Sequence, residues 1–182
     1  MRFPYKSKFR DGSIMCVHEE ESIETTQDII QNFRPEMIIE LGTSWGGFTL
    51  VLHEAFRDAV LHSFDQPNPP RKVERRDLFG HDVYFHNFDI LKGPGLPCHF
   101  LIDLCMDDRY KKLLYCDNGN KVLEVNRYGA CLNNGDMLGV HDWGSEIKLS
   151  DIEEVVRKFT PIKHELYEKN EWSTRFWKVV KK

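Results

Sequence analysis

Met37-Ile-Ile-Glu40-Leu41-Gly42-Thr43-Ser44-Trp45-Gly46-Gly47-Phe48-Thr-Leu-Val-Leu-His-Glu-Ala-Phe56 is the stretch on which the fold turns. A short apolar run, Met37 to Leu41, meets a glycine turn, and beyond it Phe48, Val51, Leu52, Ala55 and Phe56 recur at helical spacing on one face. Strand, glycine turn and helix form the opening unit of a doubly wound α/β sheet, in which ligands meet the carboxyl ends of the strands.

Upstream, Glu21 to Phe33 carries Ile23, Ile29, Ile30 and Phe33 and reads as a leading helix that Pro35 stops. Downstream the alternation repeats. Strands are expected at Val60 to Phe64, Val83 to His86, Leu113 to Cys116 and Met137 to Val140, with helices at about Pro97 to Met106, Asn120 to Leu132 and Ser150 to Phe159. Strands alternating with helices imply a parallel sheet covered on both faces. The end of the chain departs from this, because Ile162 to Tyr167 and Ser173 to Val180 both read as strands and only Glu168 to Trp172 separates them. No crossover helix fits that gap, so these two are expected to pair antiparallel.

The strand ends carry the chemistry. Glu40 lies inside the first strand, Asp65 closes the second, Asp89 follows the third, Asp117 closes the fourth and Asp142 follows the fifth, roughly 25 residues or one strand-helix unit apart. Any one of these carboxylates has a simple account as a cap for the helix that follows. Five along one edge repel one another unless hydroxyl donors or cations occupy it, which points to a polyhydroxylated or cationic ligand. The turn agrees: a dinucleotide turn needs Gly-x-Gly-x-x-Gly for close approach to a pyrophosphate, and here Ser44 stands at the middle glycine. A ligand without phosphates suits it better.

Glu40-x-Gly42-x-x-x-Gly46-Gly47 after a strand resembles the first motif of class I S-adenosylmethionine-dependent methyltransferases. The resemblance covers about residue 21 to the end and implies a Rossmann-like sheet of seven strands with an antiparallel final pair. It also implies a cofactor site made of Glu40, Gly42, Thr43, Ser44, Trp45 and Gly46, with Asp65 on the ribose hydroxyls and Asp89 near the adenine. Within that family, Asp117-Asn-Gly-Asn-Lys121 and His141-Asp142-Trp143 are similar to small-molecule O-methyltransferases of the macrolide and sugar type and to the cephalosporin hydroxylase group. In those proteins the carboxylates after the fourth and fifth strands hold a divalent ion, usually magnesium. Here His141 replaces the first member of the acidic pair, and a mixed oxygen and imidazole set also suits manganese, iron or zinc. Asp117, His141 and Asp142 are thus candidates either to hold a metal that activates a hydroxyl or to remove its proton directly, with Lys121 a further candidate base. Lys121 as a solvated helix-turn residue and His141 as a satisfied buried histidine are the simpler readings beside these.

Composition bounds the partners. The chain has 182 residues, 41% of them apolar, 25 basic and 29 acidic, with a net charge of −4, so one globular domain with a real core is expected and no broad cationic field for nucleic acid or membrane. Arg71-Lys-Val-Glu74-Arg-Arg76 is basic but interrupted, after the prolines at 67, 69 and 70, and reads as a loop. The aromatic Asp/Asn-Pro-Pro segment of DNA amino-methyltransferases has no counterpart after the fourth strand. Without a signal sequence or an apolar span, a cytoplasmic protein is expected, with residues 1 to 20 as an N-terminal lid and a homo-oligomer left open. Cys16, Cys98, Cys105, Cys116 and Cys131 are irregularly spaced, without a Cys-x-x-Cys pair, and read as reduced packing residues. The sequence-level expectation is therefore transfer of a methyl group from S-adenosylmethionine to a small-molecule hydroxyl. A nicotinamide-dependent oxidoreductase and a noncatalytic cofactor-binding module on the same fold are the rivals.

Overall fold

A computed structural model describes residues 16, 18, 20–66, 81–92, 95–162 and 174–180. The elements run α1 (Glu20–Phe33), β1 (Met37–Leu41), α2 (Gly47–Ala55), β2 (Val60–Asp65), β3 (Val83–Asn87), α3 (Leu96–Met106), β4 (Lys112–Cys116), α4 (Lys121–Arg127), β5 (Met137–Val140), α5 (Leu149–Val156), β6 (Phe159–Pro161) and β7 (Arg175–Val179). The seven strands form one sheet in the order β3-β2-β1-β4-β5-β7-β6, with β1 to β5 parallel and β7 antiparallel to both neighbours. The expected architecture is therefore present. The order reverses between β1 and β4, and the crevice of a doubly wound sheet opens at that switch point.

Alternate strand residues feed two cores. Ile39, Leu41, Phe64, Leu114, Leu138 and Val140 lie in one core with α3, α4 and α5. Ile38, Leu61, Leu113, Tyr115 and Met137 lie in the other, against α1 and α2. Central strands buried on both faces explain why β1, β4 and β5 are mostly apolar, with Glu40 and Lys112 as the charged exceptions. Gly139 on β5 is required by packing: a Cβ there would stand 2.6 Å from the Phe176 ring and 2.8 Å from that of Tyr115.

Three boundaries differ from the sequence expectation. The helix expected over Asn120 to Leu132 is α4 plus a separate 3-10 turn, Gly129–Cys131, because buried Tyr128 reaches across to donate its hydroxyl to the Ile90 carbonyl and the chain tightens at Gly129. The helix expected to reach Phe159 ends at Val156. Phe159 itself begins β6, where it buries its ring opposite Val179, and Pro161 is tolerated on the last strand of the described sheet. This strand thus begins ahead of the expected Ile162 to Tyr167, of which residues 163 to 167 lie outside the described residues. Residues 168 to 173, the proline-rich loop from 67 and most of the expected lid lie outside them as well. All five cysteines are free. Among the described residues no helix is long and apolar enough to cross a membrane.

Candidate functional site

The register sets the strand ends side by side. Leu41, Phe64 and Cys116 are cross-strand partners, as are Cys116 and Val140, and Asp65 pairs with Asn87. One residue further, Gly42 donates its N–H to Phe64, Asp117 to Leu41 and His141 to Cys116, so the ladder continues past the strand ends. Asp65, Gly42, Asp117 and His141 therefore stand side by side at the carboxyl edge. Gly42 has φ +107°, and a Cβ on it would lie 2.3 Å from the Asp117 carbonyl oxygen. Glycine is needed there to let β1 and β4 close up at the switch point.

Beneath the turn, Glu40 is fully buried. Its Oε2 accepts hydrogen bonds from Ser63 (2.5 Å) and Thr49 (2.6 Å), while Oε1 has no hydrogen-bond partner. Burial raises its carboxyl to about 7, against the lowering effect of those two hydroxyls. An unsatisfied buried carboxylate oxygen under a ligand-binding turn is a group waiting for a donor or a cation. Asp65 braces the turn from the side: its Oδ2 accepts the Ser44 N–H at 2.8 Å and its Oδ1 that of Gln66 at 2.7 Å. Ser44 takes φ +49°, so this bond holds a left-handed non-glycine residue in place. Trp45, on the same turn, is 41% exposed, whereas Thr43 is buried with its hydroxyl 2.5 Å from that of Ser63. Asp89 folds onto its own loop, accepting N–H bonds from Leu91 and Lys92.

Past β4 and β5 the expected residues converge. Asp117 Oδ1 lies 3.2 Å from His141 Nδ1 and 3.3 Å from the Lys121 ammonium. Asp142 Oδ2 lies 2.6 Å from that ammonium, and its Oδ1 is 3.3 Å from His141 Nδ1. Burial works against the charge on Lys121, but Asp142 and Glu146 reverse this and push its pKa up, so Lys121 is an ammonium rather than a base. Burial likewise opposes charge on His141, yet the bonds to Asp117 and Asp142 carry its imidazole to about 9. Asp117 is held below the usual carboxylate range, because the two histidines outweigh the burial that would raise it. The His141 bond is the main cause of a similar lowering of Asp142, to about 2. Asp142 also has φ +55°.

Four participants have no signal in the strand-end pattern. His18 precedes α1, is buried, stacks on Phe48 at 4.1 Å and places Nε2 3.2 Å from Asp117 Oδ2 without the alignment of a hydrogen bond. Burial lowers its pKa and keeps it neutral. Glu146 adds a third carboxylate to Lys121 at 2.7 Å. Glu124, raised to about 7 by burial, accepts the N–H groups of Asn118 and Asn120 and shapes the loop that carries Asp117. Ser63 links Glu40 to Thr43. One ligand atom each from His18, Asp117 and His141 lies within 4.8 Å of the others, which makes this trio the metal-capable group among the described residues. Asp142, expected in that set, is turned to Lys121.

A seven-stranded sheet of this order, with an acidic row at its switch point and no pyrophosphate turn, defines a methyltransferase-type Rossmann fold. Solved structures agree. The chain is similar to apo CmcI-N160, with TM-score 0.67 and 13% identity over 98% of this chain and 82% of that one. It is also similar to CmcI-D160 described with Mg and SAM (TM-score 0.62, 14% identity, 96% and 81% covered). A third likeness is to the Podospora anserina methyltransferase PaMTH1 bound to SAH (TM-score 0.59, 12% identity, 96% and 83% covered). At these identities the likeness establishes the fold. A scan of protein-family models and a search of curated proteins both find no match.

Proposed function

We propose that this chain transfers the methyl group of S-adenosylmethionine to a hydroxyl of a small molecule. The observation that carries the reading is the buried Glu40 with its unpartnered Oε1 beneath an open glycine turn, flanked by Asp65 on one side and the Asp117–His141–Asp142 cluster on the other. That edge is rich in carboxylates, which suits a donor that is cationic and free of phosphate. The three structural neighbours described above include proteins crystallised with SAM or SAH, which supports the same donor.

The donor supplies an electrophilic methyl carbon on a sulfonium. Attack by the acceptor oxygen forms the C–O bond as the C–S bond breaks, sulfur keeps the electron pair, and the hydroxyl proton must leave. His141 is the group we assign to take it. Asp117 and Asp142 both hold its Nδ1 side, which orients the ring and stabilises the imidazolium that results. We assign the ribose hydroxyls to Asp65 and the adenine side to Asp89, with Gly42, Thr43, Ser44, Trp45 and Gly46 as the floor. The donor set does not fit a magnesium ion, which takes oxygen ligands in an octahedron: two of the three metal-capable groups are imidazoles, and Asp142 is paired with Lys121.

Calorimetry decides the reading. S-Adenosylhomocysteine is expected to bind the wild type and NAD is not, and Asp65→Ala is expected to weaken the former by ~1.5–3 kcal/mol, the range for a charge-assisted hydrogen bond. Binding of NAD in its place would return the chain to the oxidoreductase class. Binding without methyl transfer to any of a panel of phenols and sugars would favour a noncatalytic module.

A further inference from the structure

We propose that Lys121 is a built-in cation standing where Asp117 and Asp142 would otherwise require a divalent ion, so that this chain runs methyl transfer without a metal. The inference rests on the methyl-transfer reading and deepens it. Two carboxylates at the ends of neighbouring strands need a positive charge between them. Here one is present in the chain itself: the Lys121 side chain is 4% exposed and its ammonium lies 2.6 Å from Asp142, 2.7 Å from Glu146 and 3.3 Å from Asp117.

The oxygens that would coordinate an ion are already in use. Asp117 Oδ1 faces both Lys121 and His141, its Oδ2 faces His18, Asp142 Oδ1 faces His141 and Asp142 Oδ2 faces Lys121, each nitrogen within 3.3 Å. An ion entering the His18, Asp117 and His141 trio would share Asp117 with an ammonium that is also held by Asp142 and Glu146.

The test uses chelator-treated full-length protein. S-Adenosylhomocysteine binding is measured first, with and without chelator, so that failure of the donor site is seen separately from failure of this inference. Cobalt(II) is then titrated by its visible absorption and magnesium by calorimetry into wild type, Lys121→Met and Lys121→Arg, with near-ultraviolet circular dichroism as the check on folding. The expected result is unchanged S-adenosylhomocysteine affinity in chelator and no stoichiometric ion on the wild type below about 1 mM. Uptake by Lys121→Met is expected to be at least about tenfold tighter, with none gained by Lys121→Arg. One ion per chain on the wild type below that concentration overturns the proposal, and so does a folded Lys121→Met that binds no better than wild type. Should Lys121→Met not fold, the wild-type titration alone decides.

Discussion

Each end of the sheet buries a lysine against aspartate, and the two are built differently. At the amino end, Lys112 is fully buried, and its ammonium lies 2.9 Å from Asp136 and donates to the carbonyls of Asp107 and Tyr110, while Asp136 also accepts the N–H groups of Lys112 and Asn133. That group of bonds is closed. At the carboxyl end, Lys121 is shared among three carboxylates, and near it lie the unpartnered Glu40 Oε1 and Asn118 Nδ2, together with left-handed Ser44 and Asp142. A polar network that satisfies itself stabilises a fold, whereas one that leaves buried donors and acceptors open holds strain for a ligand to relieve.

The sharpest way to break the contrast is at Asp117. Asp117→Asn keeps the shape but removes the charge that orients His141, and methyl transfer is expected to fall by ~10²–10⁴-fold, the range for losing acid–base chemistry. The check is production of S-adenosylhomocysteine with saturating acceptor. A variant with near wild-type turnover would place the proton transfer elsewhere.

Lys112→Met should do the opposite. Removing one partner of a fully buried pair strands the other, so a loss of about 3–5 kcal/mol is expected in urea unfolding, with S-adenosylhomocysteine affinity unchanged. A loss of affinity without a loss of stability would mean that the two ends are coupled.

Glu40→Gln tests the open group itself. With its folded pKa raised from 4.5 to about 7, Glu40 contributes stability fully below pH 4.5, and that contribution is lost as pH rises through 7, because the unfolded chain releases the proton first. Glutamine removes this penalty. The ligand-free variant is therefore expected to be more stable than wild type at pH 8 by ~1–3 kcal/mol, and to bind S-adenosylhomocysteine more weakly. Equal stability at pH 8 and pH 4.5 would show that Glu40 is not held open.

The smallest effect is the pH profile. His141 faces Asp117, Asp142 and His18, and as a base it must be neutral, so kcat/KM is expected to rise about tenfold per unit below pH 9 and level above it. Removing Asp142 as a partner, in Asp142→Asn, should move that bend to lower pH. A flat profile would mean that the imidazolium acts by pairing with an acceptor that arrives already ionised.

The glycine turn, the alternation of strands and helices and the row of acids were legible in the sequence, because backbone pattern fixes which residue ends each strand and register then carries those ends to one edge. Glu40, Asp65, Asp117, His141 and Asp142 all stand where that reasoning put them. The partners each of them takes were decided by tertiary structure. By sequence Lys121 is a candidate base beside a simpler reading as a solvated helix-turn residue, yet packing surrounds it with carboxylates that keep it charged. His18 lies 99 positions from Asp117 and has no periodic signal, so only the packing of its ring on Phe48 brings it to the site. The start of β6 has the same cause: Phe159 fits a helix end by local pattern, but the burial available opposite Val179 outweighs that preference. Spacing along a chain determines which residues reach an edge, and the free energy of desolvation determines which of them pair there.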